Sequence, residues 1–346
     1  MDTLTHALSG ALLARATEPR TPNADALPQR TRMWVGFWAA AFPDSDFILR
    51  FVDPLTYLTA HRGVTHSVLL LPLWALLLAL VFTALYRGRY RWRAFFGVCA
   101  LSLAAHIVGD VITAFGTMIF APMSDVRVAL PFTFIIDPYF SAILIAGLIG
   151  SALWRSRRAA VGALLVLAAY VGAQGWLHQQ ALRIGETYAA GLNREQAQIH
   201  ALPQPFSPFH WMVVVEEPEA YHLAFVSLWR RDALQAPADA NWLVRIYASF
   251  LPADKLRWAH VPRFGASTEH RALARQLWQS EALAEYRHFA LFPALYRVDA
   301  NGARQCVWFN DLRFTMTGRD MPFRYGVCRE NEGAAWKVYP FFDGGH

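Results

Sequence analysis

Charge is scarce in this 346-residue chain: Asp, Glu, Lys and Arg make up 17% of it, against 55% hydrophobic residues. That balance is more apolar than a soluble domain carries. Cysteine is scarce as well. Cys99, Cys306 and Cys328 have no CxxC spacing, so a cysteine metal site is not expected. Cys99 lies inside an apolar run and reads as packing. Cys306 and Cys328 form either a disulfide of an oxidising compartment or two buried thiols, and the sequence leaves both open. HExxH, GxSxG and the P-loop are missing, which removes the zincin, serine-hydrolase and nucleotide-hydrolase signatures. No zinc finger, helix–turn–helix or aromatic RNA-binding motif accompanies the net charge of +6, so no nucleic-acid partner is expected. The start lacks a basic n-region and its apolar part is short; it does not read as a secretory signal, and the N-terminus is expected to be kept.

What the chain does have is long apolar runs, all of them within residues 1–177. Residues 67–86 carry no formal charge over a length that crosses a bilayer as a helix. With a span at about 66–86, three more are expected, from residue 94, at about 138–154 and at about 159–177. Residues 2–16 have helical spacing, with Leu4, Leu8 and Leu12 on one stripe and Asp2, His6 and Gly10 on another, but are too short to cross alone. Residues 17–32, with three prolines, read as an irregular loop, and the apolar stretch 33–42 ends at Pro43-Asp44-Ser45-Asp46. The arginine-rich loops 87–93 and 155–158 are two spans apart and therefore share a side, the cytoplasmic one by the positive-inside rule, where they also meet anionic head groups. Arg15, Arg20, Arg30 and Arg32 fit that side if 2–16 and 33–43 dip in and out as half-spans.

The same topology puts residues 178–346, of ordinary globular composition, outside the cytoplasm. A helix over 178–202 closed by Pro203 and Pro205, strands near 211–215, 222–229, 243–250, 305–309, 312–316 and 323–327, and a helix over 268–286 predict a small sheet-based α+β domain. The expected fold is a multi-pass α-helical membrane domain, 1–177, followed by an extracytoplasmic α+β domain, 178–346.

The residues able to carry chemistry fall towards one face of that membrane domain. His106 and Asp110, four apart, project from one side of a helix. His61-Arg62-Gly63-Val64-Thr65-His66 stands at the mouth of the 66–86 span, where polar groups are costly and Thr65 can cap the helix. His6, Asp44 and Asp46 join them at the same depth, and Asp137 before Pro138 is either a second-tier member or the cap of the next span. Imidazole and carboxylate are ligands for zinc and manganese. Taken singly, each has a plainer reading: a His–Asp hydrogen bond between helices, an interfacial arginine, a solvated turn after a proline. Their shared depth, which the charge rule did not require, favours one metal centre. His6, Asp44, His61, His66, His106 and Asp110 are the expected ligands. Asp46 is a ligand or base, and Arg62 holds an anionic substrate. So many donors suit two or more ions, the arrangement that phosphoester hydrolysis most needs.

Met1-Asp2-Thr3-Leu4-Thr5-His6, Phe42-Pro43-Asp44-Ser45-Asp46, His61-Arg62-Gly63-Val64-Thr65-His66-Ser67 and His106-x-x-x-Asp110 together resemble the membrane-bound metal-dependent hydrolases of the YdjM/YbcI type. Some members carry the label LexA-binding, inner-membrane-associated hydrolase. The motifs cover about the first 140 residues. The resemblance implies a metal-dependent hydrolase of the bacterial inner membrane. The order His, Asp, His, His-x-x-x-Asp also resembles, less closely, zinc-dependent phospholipase C, although the later His-x-x-x-Glu of that type is missing here. The expected substrate is a membrane lipid or lipid-linked phosphoester at head-group depth. A divalent-cation transporter and a scaffold stapled by metal are the rival readings.

Overall fold

The computed structural model describes residues 1–19, 26–194, 196–301, 303–319 and 321–341; Arg20 lies outside them. The chain divides into two units, one of Met1–Ile48 and Ala60–Trp176, the other of Leu49–Thr59 and Leu177–His346.

The first unit is helical. α1 (Thr3–Ala16) is capped by the Asp2 side chain, which accepts from the Thr5 amide. α2 (Gln29–Ala41) begins inside the stretch expected to be loop. The two helices pack with almost no side chain between them. A Cβ on Gly10 would lie 2.2 Å from the Gly36 carbonyl oxygen, so only glycine fits. A 3₁₀ turn (Phe42–Phe51) follows, then α3 (Pro54–Ala60), nearly all of which is counted in the second unit, and a second 3₁₀ turn (Val64–His66). α4 (Leu71–Leu85) and α5 (Trp92–Val111) form an antiparallel hairpin, with the Phe95 ring against those of Phe82 and Tyr86. Between them and α2 lies a core of Val35, Leu78, Phe82, Phe95, Cys99 and Leu103. α6 (Pro138–Leu153) is capped by Asp137, whose Oδ1 accepts from the Tyr139 and Phe140 amides and whose Oδ2 accepts from the Tyr170 hydroxyl at 2.7 Å. Asp137 thus serves α6 and its packing rather than the cluster of acids and histidines, an arrangement worth about 1 kcal/mol in capping alone.

Among the described residues, α5 and α7 (Arg157–Gly191) are long and apolar enough to cross a membrane. Pro54–His66 and Leu71–Leu85 pass that test as a pair bent by 79°, and α6 is a shorter apolar helix. The run from 66 is therefore not one straight helix. His66 closes a 3₁₀ turn, and Thr65 turns its hydroxyl to Asp46 instead of capping α4.

The second unit holds two antiparallel four-stranded sheets. β1 (Gln198–Pro203), β2 (His210–Glu216), β3 (Ala220–Ser227) and β4 (Ala259–Pro262) form one. β5 (Pro293–Asn301), β6 (Arg304–Asp311), β7 (Tyr325–Arg329) and β8 (Lys337–Pro340) form the other. α8 (Trp242–Ala248), α9 (Thr268–Trp278) and α10 (Ala284–Phe289) accompany them. Cys306 and Cys328 face each other across β6 and β7 and are bridged. Several expected elements differ. α7 continues past 177 without a break and ends at Gly191, because no proline or glycine pair interrupts the helical run; β1 occupies the rest of the expected 178–202 helix. Residues 243–250 fold mostly as α8, where the Asn241 side chain accepts from the Val244 amide and starts a helix that the β-branched and aromatic composition hid. Residues 312–314 are a 3₁₀ turn set by Asp311, and the 268–286 helix is broken after Trp278.

Candidate metal centre

Asp44, His66, His106 and Asp110 converge, each offering one ligand atom, and these atoms lie within 4.8 Å of one another. They come from three pieces of chain. Asp44 sits in the 3₁₀ turn after α2, His66 at the end of the turn before α4, and His106 and Asp110 one turn apart in α5. Asp44 is half-buried, while His66, His106 and Asp110 are fully buried.

Hydrogen bonds behind the rings decide which nitrogen faces inward. The Ala40 carbonyl can only accept, so His106 Nδ1, at 2.6 Å, carries the proton. The Thr65 hydroxyl spends its one proton on Asp46 Oδ2 and accepts from His66 Nδ1 at 2.9 Å. With those nitrogens engaged behind the rings, each ring turns its Nε2 into the centre, and the two Nε2 atoms are 2.9 Å apart. Asp110 Oδ2 lies 3.1 and 3.3 Å from them, and Asp44 Oδ1 lies 3.7 and 3.6 Å away. Asp44 Oδ2 and Asp110 Oδ2 have no hydrogen-bond donor. Acceptor atoms crowded this closely repel one another until protons or a cation supply positive charge.

A metal ion fits. Nitrogen and oxygen ligands held tetrahedrally about 2.0–2.1 Å from zinc stand roughly 3.3 Å apart. The five spacings above run from 2.9 to 3.7 Å. Two imidazoles and two carboxylates suit zinc or manganese, and the bonds from His106 to Ala40 and from His66 to Thr65 are of the kind that fixes a ligand's tautomer.

The other expected site residues lie around this group. His6 Nε2 is 3.0 Å from Asp110 Oδ1, and its ring stacks on His106 at 3.7 Å. Gly109 permits that approach, since a Cβ there would meet His6 Cε1 at 3.0 Å. Arg62 Nη2 reaches the same Asp110 oxygen at 2.9 Å, its Nη1 donates to Thr113, and the Met1 amino group also binds Asp110 Oδ1. Arg62 is only 1% exposed, so its charge is spent inside the protein. His61 Nδ1 is 2.8 Å from Asp46 Oδ1, while Asp46 Oδ2 accepts from the Arg62 amide and from Thr65. Burial opposes the Asp46 charge, yet the hydrogen bond and charge of His61 hold its carboxyl below the usual range. Arg62 sits at φ 60°, a left-handed conformation that costs a side-chain-bearing residue about 1 kcal/mol or more. It lets the Arg62 amide face Asp46 while the guanidinium faces Asp110. Neither the Ala40 carbonyl nor Thr113 carries a signal in the linear pattern, although both hold residues of the centre.

The model of the YdjM inner membrane protein family matches residues 1–181, more than half of the chain. The chain belongs to that family. The matched region contains every residue of the centre, and the two sheets lie beyond it. Among curated proteins, the chain is similar to the uncharacterized protein YfhP of Bacillus subtilis, 28% identical over 160 residues, 44% of this chain and 46% of that protein. The chain thus spans about half the length of this relative. No solved structure matches.

Proposed function

We propose that this YdjM-family protein is a metal-dependent hydrolase of the inner membrane, acting on the phosphoester of a lipid or lipid-linked substrate. The observation that carries the reading is the convergence of ligand atoms from Asp44, His66, His106 and Asp110 within 4.8 Å of one another. A divalent ion there, zinc or manganese, would be held by His66, His106 and Asp110, with Asp44, the most distant and least buried donor, beside the position left for water. It would supply a Lewis acid and let that water act as a nucleophile near neutral pH. One ion is assigned to this group, against the two or more expected from the ligand inventory, because no second group of three or more such donors gathers among the described residues.

The chain's own residues do the rest. Asp46 orients the His61 ring through Nδ1 for proton transfer at Nε2. Arg62, His6 and the Met1 amine gather on Asp110 Oδ1, which leaves Oδ2 to face the centre. Arg62 thereby positions Asp110. The helical unit is read as multi-pass, with the centre and the second unit outside the cytoplasm. The Cys306–Cys328 bridge supports that side, since disulfides persist in oxidising compartments.

Metal analysis of the purified protein, followed by phosphodiesterase assays of wild type and Asp110→Asn on lipid phosphoesters, tests the reading. Bound metal, with turnover that Asp110→Asn abolishes, is the expected result. Metal without turnover on any lipid phosphoester would leave a structural staple, and metal uptake into vesicles would indicate transport. A protein that binds no divalent ion sinks all three.

A further inference from the structure

A groove of about 540 Å³ opens on the helical unit, lined by Pro72, Leu76, Trp92, Arg93 and Phe96. Pro72 and Leu76 belong to the first turns of α4, and Trp92, Arg93 and Phe96 to the first turns of α5. In the antiparallel hairpin Phe95 meets Phe82, so Pro72 stands ten residues, roughly 15 Å, further along α4 than that contact. The lining is therefore drawn out along the helix axes. Four of its residues are apolar, and the single charge, Arg93, lies at the loop end.

That end is basic throughout. Arg87, Arg89, Arg91 and Arg93 are all exposed, and among these residues there is no acidic side chain to neutralise them. Arg93 stands over the exposed Trp92 ring at 5.5 Å. Such an aromatic and arginine pair is the usual furniture of a membrane interface. An open apolar groove running away from an exposed cation is complementary to a molecule with an apolar tail and an anionic head. His106 and Asp110 lie at the other end of α5, so this is not the metal centre.

We infer that the groove between α4 and α5 binds one acyl chain of an anionic phospholipid, with the lipid phosphate against Arg93 beside the Trp92 ring. The inference rests on α4 and α5 lying in the bilayer, as family membership supports, and is independent of hydrolysis or metal.

Native mass spectrometry of the full-length protein tests it, with the protein taken from mixed micelles holding equal phosphatidylglycerol and phosphatidylethanolamine. One interfacial arginine favours the anionic lipid by about fivefold. That preference is expected in wild type and in Arg89→Gln, which lies outside the groove, and is expected to vanish in Arg93→Gln. Leu76→Trp, which fills the groove, should lower retention of both lipids while circular dichroism shows the fold intact. Equal retention in wild type overturns the proposal, as does a preference that survives Arg93→Gln or is lost equally in Arg89→Gln. Retention undiminished in Leu76→Trp overturns the acyl-chain assignment.

Discussion

His106 in the helical unit and His210 in the sheet unit are both buried, at 0% and 2% exposure, and they are used in opposite ways. His106 has a carbonyl behind it and three further ligand atoms in front. His210 stacks on Phe250 at 4.0 Å and meets Tyr247 edge-on at 4.8 Å, while its Nδ1 has no hydrogen-bond partner. Burial alone therefore marks nothing. The convergence of acceptor atoms separates a site from a packed ring: one neighbourhood demands positive charge, and the other rejects it. Burial and the charge of Arg230 push the His210 imidazole down from 6.5 to about 4.

The sharpest way to break this contrast is to remove a ligand from one side only. Asp110→Asn should weaken metal binding by more than about 100-fold, beyond the loss from removing a supporting partner, whereas His210→Phe should leave metal content unchanged; atomic spectroscopy of both variants reads the difference. Next in size is acid. His210 binds a proton less tightly folded than unfolded, so the stability it allows is whole above pH 6.5 and is lost as pH falls towards 4. The loss is roughly 3 kcal/mol at one pH unit per 1.36 kcal/mol. Denaturant midpoints across that window should fall in wild type and flatten in His210→Phe; parallel curves would refute the aromatic-slot account. Opening the disulfide with Cys306→Ala and Cys328→Ala together should cost about 3 kcal/mol in the sheet unit, and leave metal affinity alone. The smallest effect is expected from Asp46→Asn, which loosens Thr65 and His61 behind the centre and should weaken metal binding by about tenfold. A competition titration with a chelating dye measures it.

Much of the centre was legible because histidine and aspartate are rare inside apolar runs and costly there. His66, His106 and Asp110 stand out by that cost, and Asp44 by sharing their depth. What the linear pattern could not separate is ligand from supporter. His6 bonds Asp110 of the cluster and His61 bonds Asp46 beside it, and nothing in their spacing distinguishes them from His66. The helical half of the chain was easier to read than the sheet half. Apolar length announces a bilayer helix, whereas Trp242–Ala248 is rich in β-branched and aromatic residues and folds as a helix once Asn241 caps it. The short strands β4 and β8, four residues each, have too little pattern to stand out.

By itself the sequence determined which chemistry is available: two kinds of donor, the absence of competing cysteine, and their placement at the ends of apolar segments. Only the tertiary structure decided which atoms meet. The direction of the His106 lone pair is set by a carbonyl 66 residues away, at Ala40. Ala40 lies on α2, the helix that α1 meets through the Gly10–Gly36 contact. A ring nitrogen has no preferred tautomer until a neighbour claims one side of it, and that neighbour is supplied by packing rather than by adjacency in the chain.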